Sequence, residues 1–462
     1  MKTTLHTTRR DFLKLSGAVS LGFLGLNKFA YAASHFSSNE VGYGPLVKDP
    51  QGMLNLPKGF SYKIISKMGT PMSDGFLIPG KGDGMATFAG KKGKVILIRN
   101  HEMNPEDPEE GPFGKQNELL AKIDPKMVYD FGMGKQPCLG GTTTLIFNEE
   151  TQTLENEYLS LVGTVRNCAG GPTPWGSWIS CEETNLKKGE SREKDHGYNF
   201  EVPASTKIQL AEPIPLIAMG RMNHEAVAVD PKSGIVYQTE DQHDGLIYRF
   251  IPHTPGKLIK GGKLQILAIK DQKSRDTRNW DAKYETFPVK QKFEVEWLDI
   301  DDVESPEDDL RLRGFEKGAA RFARGEGMWY GNGEIYFACT NGGKNKKGQI
   351  FRYVPSALEG TPEEKNQPGT LELFVEPNDL DLLQNCDNLT VAPWADVITC
   401  EDRSHPNIVG ISPEGEFYKL AENIGFESEF AGGVFSPSGK TFFVNIQHAG
   451  LTFAITGPWK KV

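Results

Sequence analysis

The stretch Asn223–Asp241 reads NHEAVAVDPKSGIVYQTED. A short apolar run, Ala226 to Val229, enters Asp230-Pro231-Lys232-Ser233-Gly234 and leaves through Ile235, Val236 and Tyr237. Proline presets one backbone angle, and the Asp, Ser and Gly around it tolerate a reversal, so the middle is a turn between two strands. The hairpin starts on Asn223-His224-Glu225 and ends on Glu240-Asp241, polar groups where a strand would otherwise continue.

The same grammar recurs along the chain. It reads MATFAGKKGKVILIRNHE at Met85–Glu102, NCAGGPTPWGSWISCEE at Asn167–Glu183 and RGEGMWYGNGEIYFACTNGG at Arg324–Gly343. It returns as CDNLTVAPWADVITCED at Cys386–Asp402 and FAGGVFSPSGKTFFVNIQH at Phe430–His448. Further strands follow some hairpins, as at Leu246–Ile251 and Gln349–Val354. Self-similarity of this kind marks a repeat architecture. Six hairpins with trailing strands predict an all-β, six-bladed β-propeller, with the polar stretches Lys257–Pro288 and Glu304–Arg313 as inserted loops. Two stacked sheets or a jelly roll would also accommodate the pattern.

Composition agrees with many short strands: 51 Gly and 29 Pro among 462 residues, with 38% apolar and 10% aromatic side chains to fill a sizeable interior. The formal net charge is −9, and removing residues 1–32, which carry a net +4, takes it to about −13. A chain this acidic repels nucleic acid, so a polynucleotide partner is not expected.

The N-terminus carries Thr8-Arg9-Arg10-Asp11-Phe12-Leu13-Lys14, then an apolar stretch from Leu15 to Leu26, then Ala30-Tyr31-Ala32. Twin arginines, a hydrophobic region and an A-x-A site predict a signal peptide over residues 1–32, passage through the twin-arginine translocase, and a single propeller domain over residues 33–462. The protein is then periplasmic or secreted, with no membrane span after processing; the rival, a membrane anchor, needs a longer apolar stretch. Export of a folded protein suits a cofactor loaded beforehand. The six cysteines, Cys138, Cys168, Cys181, Cys339, Cys386 and Cys400, form no CxxC pair, which leaves disulfides and free thiols both open.

If the hairpins enter their blades alike, their polar ends meet at one rim. Those ends hold Asn100-His101-Glu102, Cys181-Glu182-Glu183, Asn223-His224-Glu225, Glu240-Asp241, Arg324-Gly325-Glu326, Asn341, Asp387-Asn388, Glu401-Asp402 and His448. Singly, each has an ordinary explanation as an edge acid, a hydrogen-bonded histidine, a core or disulfide cysteine, or a surface arginine. Together the carboxylates repel one another, and bound cations would resolve that repulsion. Oxygen ligands suit calcium, and a thiolate adds a softer ligand for iron or zinc.

The segments NCAGGPTPWGSWISCEE, GRMNHEAVAVD, ARGEGMWY, CDNLTVAPW and VNIQH, spread between about Asn100 and His448, resemble the PhoX-type alkaline phosphatases. The resemblance implies twin-arginine export, a six-bladed propeller, and iron and calcium ions at its rim. It also implies that Cys181 is the iron-binding thiolate, that Glu225, Glu240 and Glu326 bind metal, and that Arg324 holds the substrate phosphate. Glu102, Asp387, Asn388 and Glu401 join the expected metal ligands by their place in the repeat. Arg324 and Glu326 are the expected catalytic pair, acting on a small phosphomonoester. This chain is more compact than the long members of that family. The alternatives are a calcium-dependent propeller hydrolase of another class, a lactonase or phytase, and a non-catalytic secreted propeller that binds a ligand or partner. No GxSxG elbow, P-loop or dinucleotide fingerprint occurs.

Overall fold

The computed structural model describes residues 41–189, 191–281 and 286–461; the twin-arginine segment lies outside the described residues. Three strands precede the repeat: β1 (Leu46–Val47), β2 (Leu54–Pro57) and β3 (Ser61–Lys67). The first blade is an antiparallel sheet of β4 (Gly82–Ala89), β5 (Lys94–His101), β6 (Gly140–Asn148) and β7 (Thr153–Thr164). The second holds β8 (Asn167–Pro172), β9 (Ser177–Glu182) and β10 (Asn199–Pro203). The third runs through β11 (His224–Val229), β12 (Val236–Glu240), β13 (Ile247–Pro252), β14 (Gly262–Ile269) and β15 (Lys292–Asp299). The fourth is β16 (Gly325–Gly331), β17 (Glu334–Cys339), β18 (Gln349–Val354) and β19 (Thr370–Val375).

The fifth blade is β20 (Cys386–Val391), β21 (Val397–Glu401), β22 (Asn407–Ile411) and β23 (Phe417–Asn423), widened by β2 and β1. The sixth joins β24 (Phe430–Phe435), β25 (Thr441–Ile446) and β26 (Leu451–Thr456) to β3 from the other end of the chain. Hydrogen bonding divides these strands into five sheets, because β15 pairs with both β14 and β19 and fuses the third and fourth blades. The hairpins expected from the sequence are all present.

The innermost strands β4, β8, β11, β16, β20 and β24 each pack on the next, and β24 packs on β4. That closed ring is a propeller channel, which neither two stacked sheets nor a jelly roll would give. Side chains interleave between blades: Ile179 of β9 with Val227 of β11, and Leu97 and Phe147 of the first blade with Val434 and Phe443 of the sixth. Each such buried side chain contributes about 1.5–3 kcal/mol relative to exposure. The Asn332-Gly333 turn has φ of 54° and 83°, the pair of positive angles that a tight hairpin requires.

Below the rim the inner strands approach until backbone meets backbone. A Cβ on Gly84 would lie 2.5 Å from Ala169 Cα, and one on Gly327 would lie 2.5 Å from Leu389 N. Two loop expectations are corrected: Lys257–Pro288 contains β14, and Glu304–Arg313 runs into an α-helix over Leu310–Lys317. The six cysteines are free and buried. No helix among the described residues is long and apolar enough to cross a membrane.

Candidate metal centre

Each inner strand loses register with its partner near the rim. The slips lie between Gly82 and Met85, Asn167 and Gly170, His224 and Val227, Gly325 and Met328, and Cys386 and Leu389. In each, two residues of the inner strand oppose one of its partner, the geometry of a β-bulge, which bends the strand and re-aims a side chain. The first bulged residue is Asp83, Cys168, Glu225, Glu326 and Asp387 in turn. In the sixth blade the slip falls between Ala431 and Val434, where Gly432 and Gly433 bring no donor side chain; Glu429, just before β24, supplies one instead.

A second tier follows the second strand of each hairpin, at Glu102, Glu183, Asp241, Thr340, Asp402 and Gln447. The tiers interlock in four groups, Asp83–Glu102–Cys168, Cys168–Glu183–Glu225, Glu225–Glu326–Asp387 and Asp387–Asp402–Glu429, with ligand atoms inside each group within 4.8 Å of one another. Three residues belong to two groups each, so the set is one continuous arc.

The arc is electrostatically unfinished. Burial, then the charges of Glu102 and Asp387, holds the Asp83 carboxyl far above the usual carboxylate range. Burial and neighbouring acids do the same to Glu225, Glu326 and Glu429. Glu183 is pushed up to about 8 by burial and then by Asp241, and Asp387 to about 8 by burial and then by Asp402. The Cys168 thiol is raised by burial and by Glu102. Two guanidiniums offset part of this charge. Arg166 Nη2 lies 2.7 Å from Glu102 Oε1 and also contacts Glu183. Arg324 binds Asp241 through Nε at 2.7 Å and Nη2 at 2.6 Å, and its Nη2 lies 2.9 Å from Glu326 Oε1. That last contact misses hydrogen-bond geometry, and Glu326 Oε1 stays buried without a hydrogen-bond donor. An arc of oxygen donors with one thiol, short of positive charge, fits hard cations with a softer metal at the sulfur.

Of the residues expected from the sequence, Glu102, Glu225, Glu326 and Asp387 meet here, with Arg324 at their edge. Four other expected ligands lie outside these groups. Cys181 is wholly buried among Ile179, Met219, Met222 and Val227 in the contact between blades, and the thiol in the arc is Cys168. Glu240 still pairs with His224, and its Oε2 accepts Leu246 N at 3.2 Å and Tyr248 Oη at 2.7 Å. Glu401 pairs with Cys386 and accepts Gln384 N at 2.7 Å and Asn407 N at 2.8 Å. Strand side chains alternate, so in both places the next residue, Asp241 or Asp402, is the one that joins the second tier. Asn388 is occupied in bracing: its Nδ2 donates to Asp387 Oδ1 at 2.9 Å, and its Oδ1 accepts the Gly432 amide. Sequence reasoning passed over Asp83, Cys168, Glu429 and Arg166. Starting the first hairpin one bulge earlier would have found Asp83.

A separate buried group, Asp130, Cys138 and His196, also has donor atoms within 4.8 Å of one another. There His196 bridges Glu182 Oε1 at 2.7 Å and Asp130 Oδ2 at 3.2 Å. Both carboxylates also accept backbone amides, those of Val165 and Gly197 at Glu182 and those of Gly132 and Glu193 at Asp130. This is a satisfied clamp behind β9.

Residues 41–155 and 140–450 match the family model described as alkaline phosphatase PhoX. Among solved structures, Pseudomonas fluorescens PhoX in complex with vanadate, a transition state analogue, superposes with a TM-score of 0.66 at 18% identity, covering 90% of this chain and 98% of that one. A gluconolactonase from Xanthomonas campestris aligns at 11% identity with a TM-score of 0.41, covering 90% of this chain and 98% of that one. No curated protein matches the sequence.

Proposed function

Because this chain belongs to the alkaline phosphatase PhoX family, we propose that its rim arc is the iron- and calcium-binding site of an exported phosphomonoesterase. One observation carries the reading: five bulges each turn one donor, Asp83, Cys168, Glu225, Glu326 or Asp387, into a single arc of largely buried, undercompensated charge. Cys168 with Glu183 and Glu225 suits the softer iron. Asp83, Glu102, Glu326, Asp387, Asp402 and Glu429 suit calcium. Such cations, when bound, neutralise phosphoryl oxygens and activate water.

The chain's own contribution centres on Arg324. Asp241 grips its Nε and Nη2 edge, fixing the guanidinium plane, and Nη1 takes part in neither contact. With 32% of its side chain exposed above buried acids, Arg324 presents the remaining N–H groups to an incoming anion. A guanidinium donates paired hydrogen bonds to phosphoryl oxygens, and its fixed charge stabilises them as charge develops. The vanadate bound by the Pseudomonas fluorescens protein agrees with an oxyanion target here.

The test is turnover of p-nitrophenyl phosphate by protein whose iron and calcium have been quantified. Arg324→Ala should lower the rate about 30- to 1000-fold, as expected for loss of a charge-stabilising donor, with metal content unchanged and Arg324→Lys restoring part of it. Fully metallated wild type that hydrolyses a lactone and no phosphoester would overturn the assignment.

A further inference from the structure

The residue before each inner strand holds the same place in every blade, because its carbonyl accepts the amide of the second-tier residue. The pairs are Lys81–Glu102 at 2.9 Å, Arg166–Glu183 at 2.9 Å, Asn223–Asp241 at 3.1 Å, Arg324–Thr340 at 3.1 Å, Asn385–Asp402 at 2.9 Å and Glu429–Gln447 at 3.3 Å. At four of these positions, Lys81, Arg166, Arg324 and Asn385, the backbone is left-handed, with φ of 46°, 50°, 53° and 53°, so the two arginines leave the chain in the same conformation. Arg166 is therefore the structural counterpart of Arg324, two blades away.

The likeness extends to the side chains. Arg166 bridges Glu102 and Glu183 as Arg324 bridges Asp241 and Glu326. The charge of Asp241 also acts on Glu183, so guanidinium, two carboxyls and guanidinium follow one another along the rim. The two arginine side chains are 36% and 32% exposed, while the acids they hold are no more than 15% exposed. Lys81, the other basic residue at this position, instead turns to Asp107, with Nζ 2.7 Å from Oδ2.

We propose that Arg166 is a second phosphate-contacting guanidinium, working with Arg324 on one phosphoryl group. The proposal rests on the reading of the rim as a phosphomonoesterase site. A phosphoryl dianion offers three non-bridging oxygens, and one guanidinium engages two at most. The acids that Arg166 bridges belong to the candidate cation groups, so once their charge is neutralised an oxyanion is the partner of opposite sign left at the rim.

Binding of inorganic phosphate to metal-quantified protein, measured by calorimetry, tests this directly, with KM and kcat for p-nitrophenyl phosphate measured alongside. Arg166→Ala should weaken phosphate binding about 10- to 100-fold, as expected for one charge-assisted contact, with iron and calcium retained. Arg166→Lys should recover part of the loss. Lys81→Ala, at the equivalent position but with its ammonium held by Asp107, should change phosphate affinity less than about threefold, since a partly exposed pair outside the arc is worth little. Unchanged phosphate affinity in Arg166→Ala overturns the proposal while leaving the phosphatase reading intact. Loss of metal from both Arg166 variants overturns it too, because Arg166 would then only brace Glu102 and Glu183. Metallated wild type that neither binds phosphate nor hydrolyses the ester overturns both readings.

Discussion

Cys168 Sγ stands 2.9 Å from Glu183 Oε2 across the β8–β9 hairpin. The thiol is buried and raised, so without metal it keeps its proton; a metal ion that binds there must displace it. Cys168→Ser should therefore lose iron and any visible absorption that depends on it. Cys181→Ala should keep its metal and lose only about 1 kcal/mol, the scale of a small core truncation. Metal analysis of the two purified variants checks both outcomes. Iron retained in Cys168→Ser and lost in Cys181→Ala would reverse the assignment.

The adjacent acids Glu240 and Asp241 do different work. Glu240→Ala strands the Leu246 amide and the Tyr248 hydroxyl in the blade interior, which should cost about 2–4 kcal/mol. Asp241→Ala should leave the thermal midpoint nearly unchanged while freeing Arg324 and lowering turnover. Thermal melts and phosphatase assays on the pair separate the two roles, and equal destabilisation by both would contradict the geometry.

This doublet shows how far the sequence could be read. Turn residues and alternating apolar runs located the hairpins, because those signals are local. A bulge is not local: it adds one residue to one strand, and nothing in Glu240-Asp241 or Glu401-Asp402 says which acid keeps the inward phase. Asp83 was lost because the first hairpin was read from Met85, beyond its bulge. Cys168 and Cys181 stand in the same hairpin, and only the bulge at Cys168 decides which sulfur faces the arc. Arg166 becomes visible only when the blades are superposed.

The metal-free protein should have an inverted pH profile. Glu183 moves from 4.5 to about 8 on folding, and Asp387 from 3.8 to about 8. Below the unfolded values both states are protonated and the full stability is present. Between there and about pH 8 the unfolded chain releases protons that the folded chain retains, so stability falls as pH rises, by about 1.4 kcal/mol per pH unit for each such proton. Chelated protein should thus melt higher at pH 5.5 than at pH 8, and restored calcium and iron should flatten the curve. A chelated sample more stable at pH 8 than at pH 5.5 would refute the account.

Export is expected to depend on Arg9 and Arg10, ahead of the apolar stretch and Ala30-Tyr31-Ala32. Replacing both with Lys should leave precursor in the cytoplasm, visible by fractionation and immunoblot. Undiminished processed protein outside the inner membrane would rule that route out.

The pairing of β3 with β26 fixes when the rim can come into being. Ser61–Lys67 has no partner until Leu451–Thr456 has been synthesised, and β4 cannot meet β24 before Phe430 is made. At about 5–20 residues per second of translation, the donors near the start of the chain wait tens of seconds for those near its end. Asp83, Glu102 and Glu429 therefore assemble only after the sixth blade has been made. A product cut short before β26 would leave two unpaired strand edges open to other chains, so quality control of this protein is a test of completeness at its last blade.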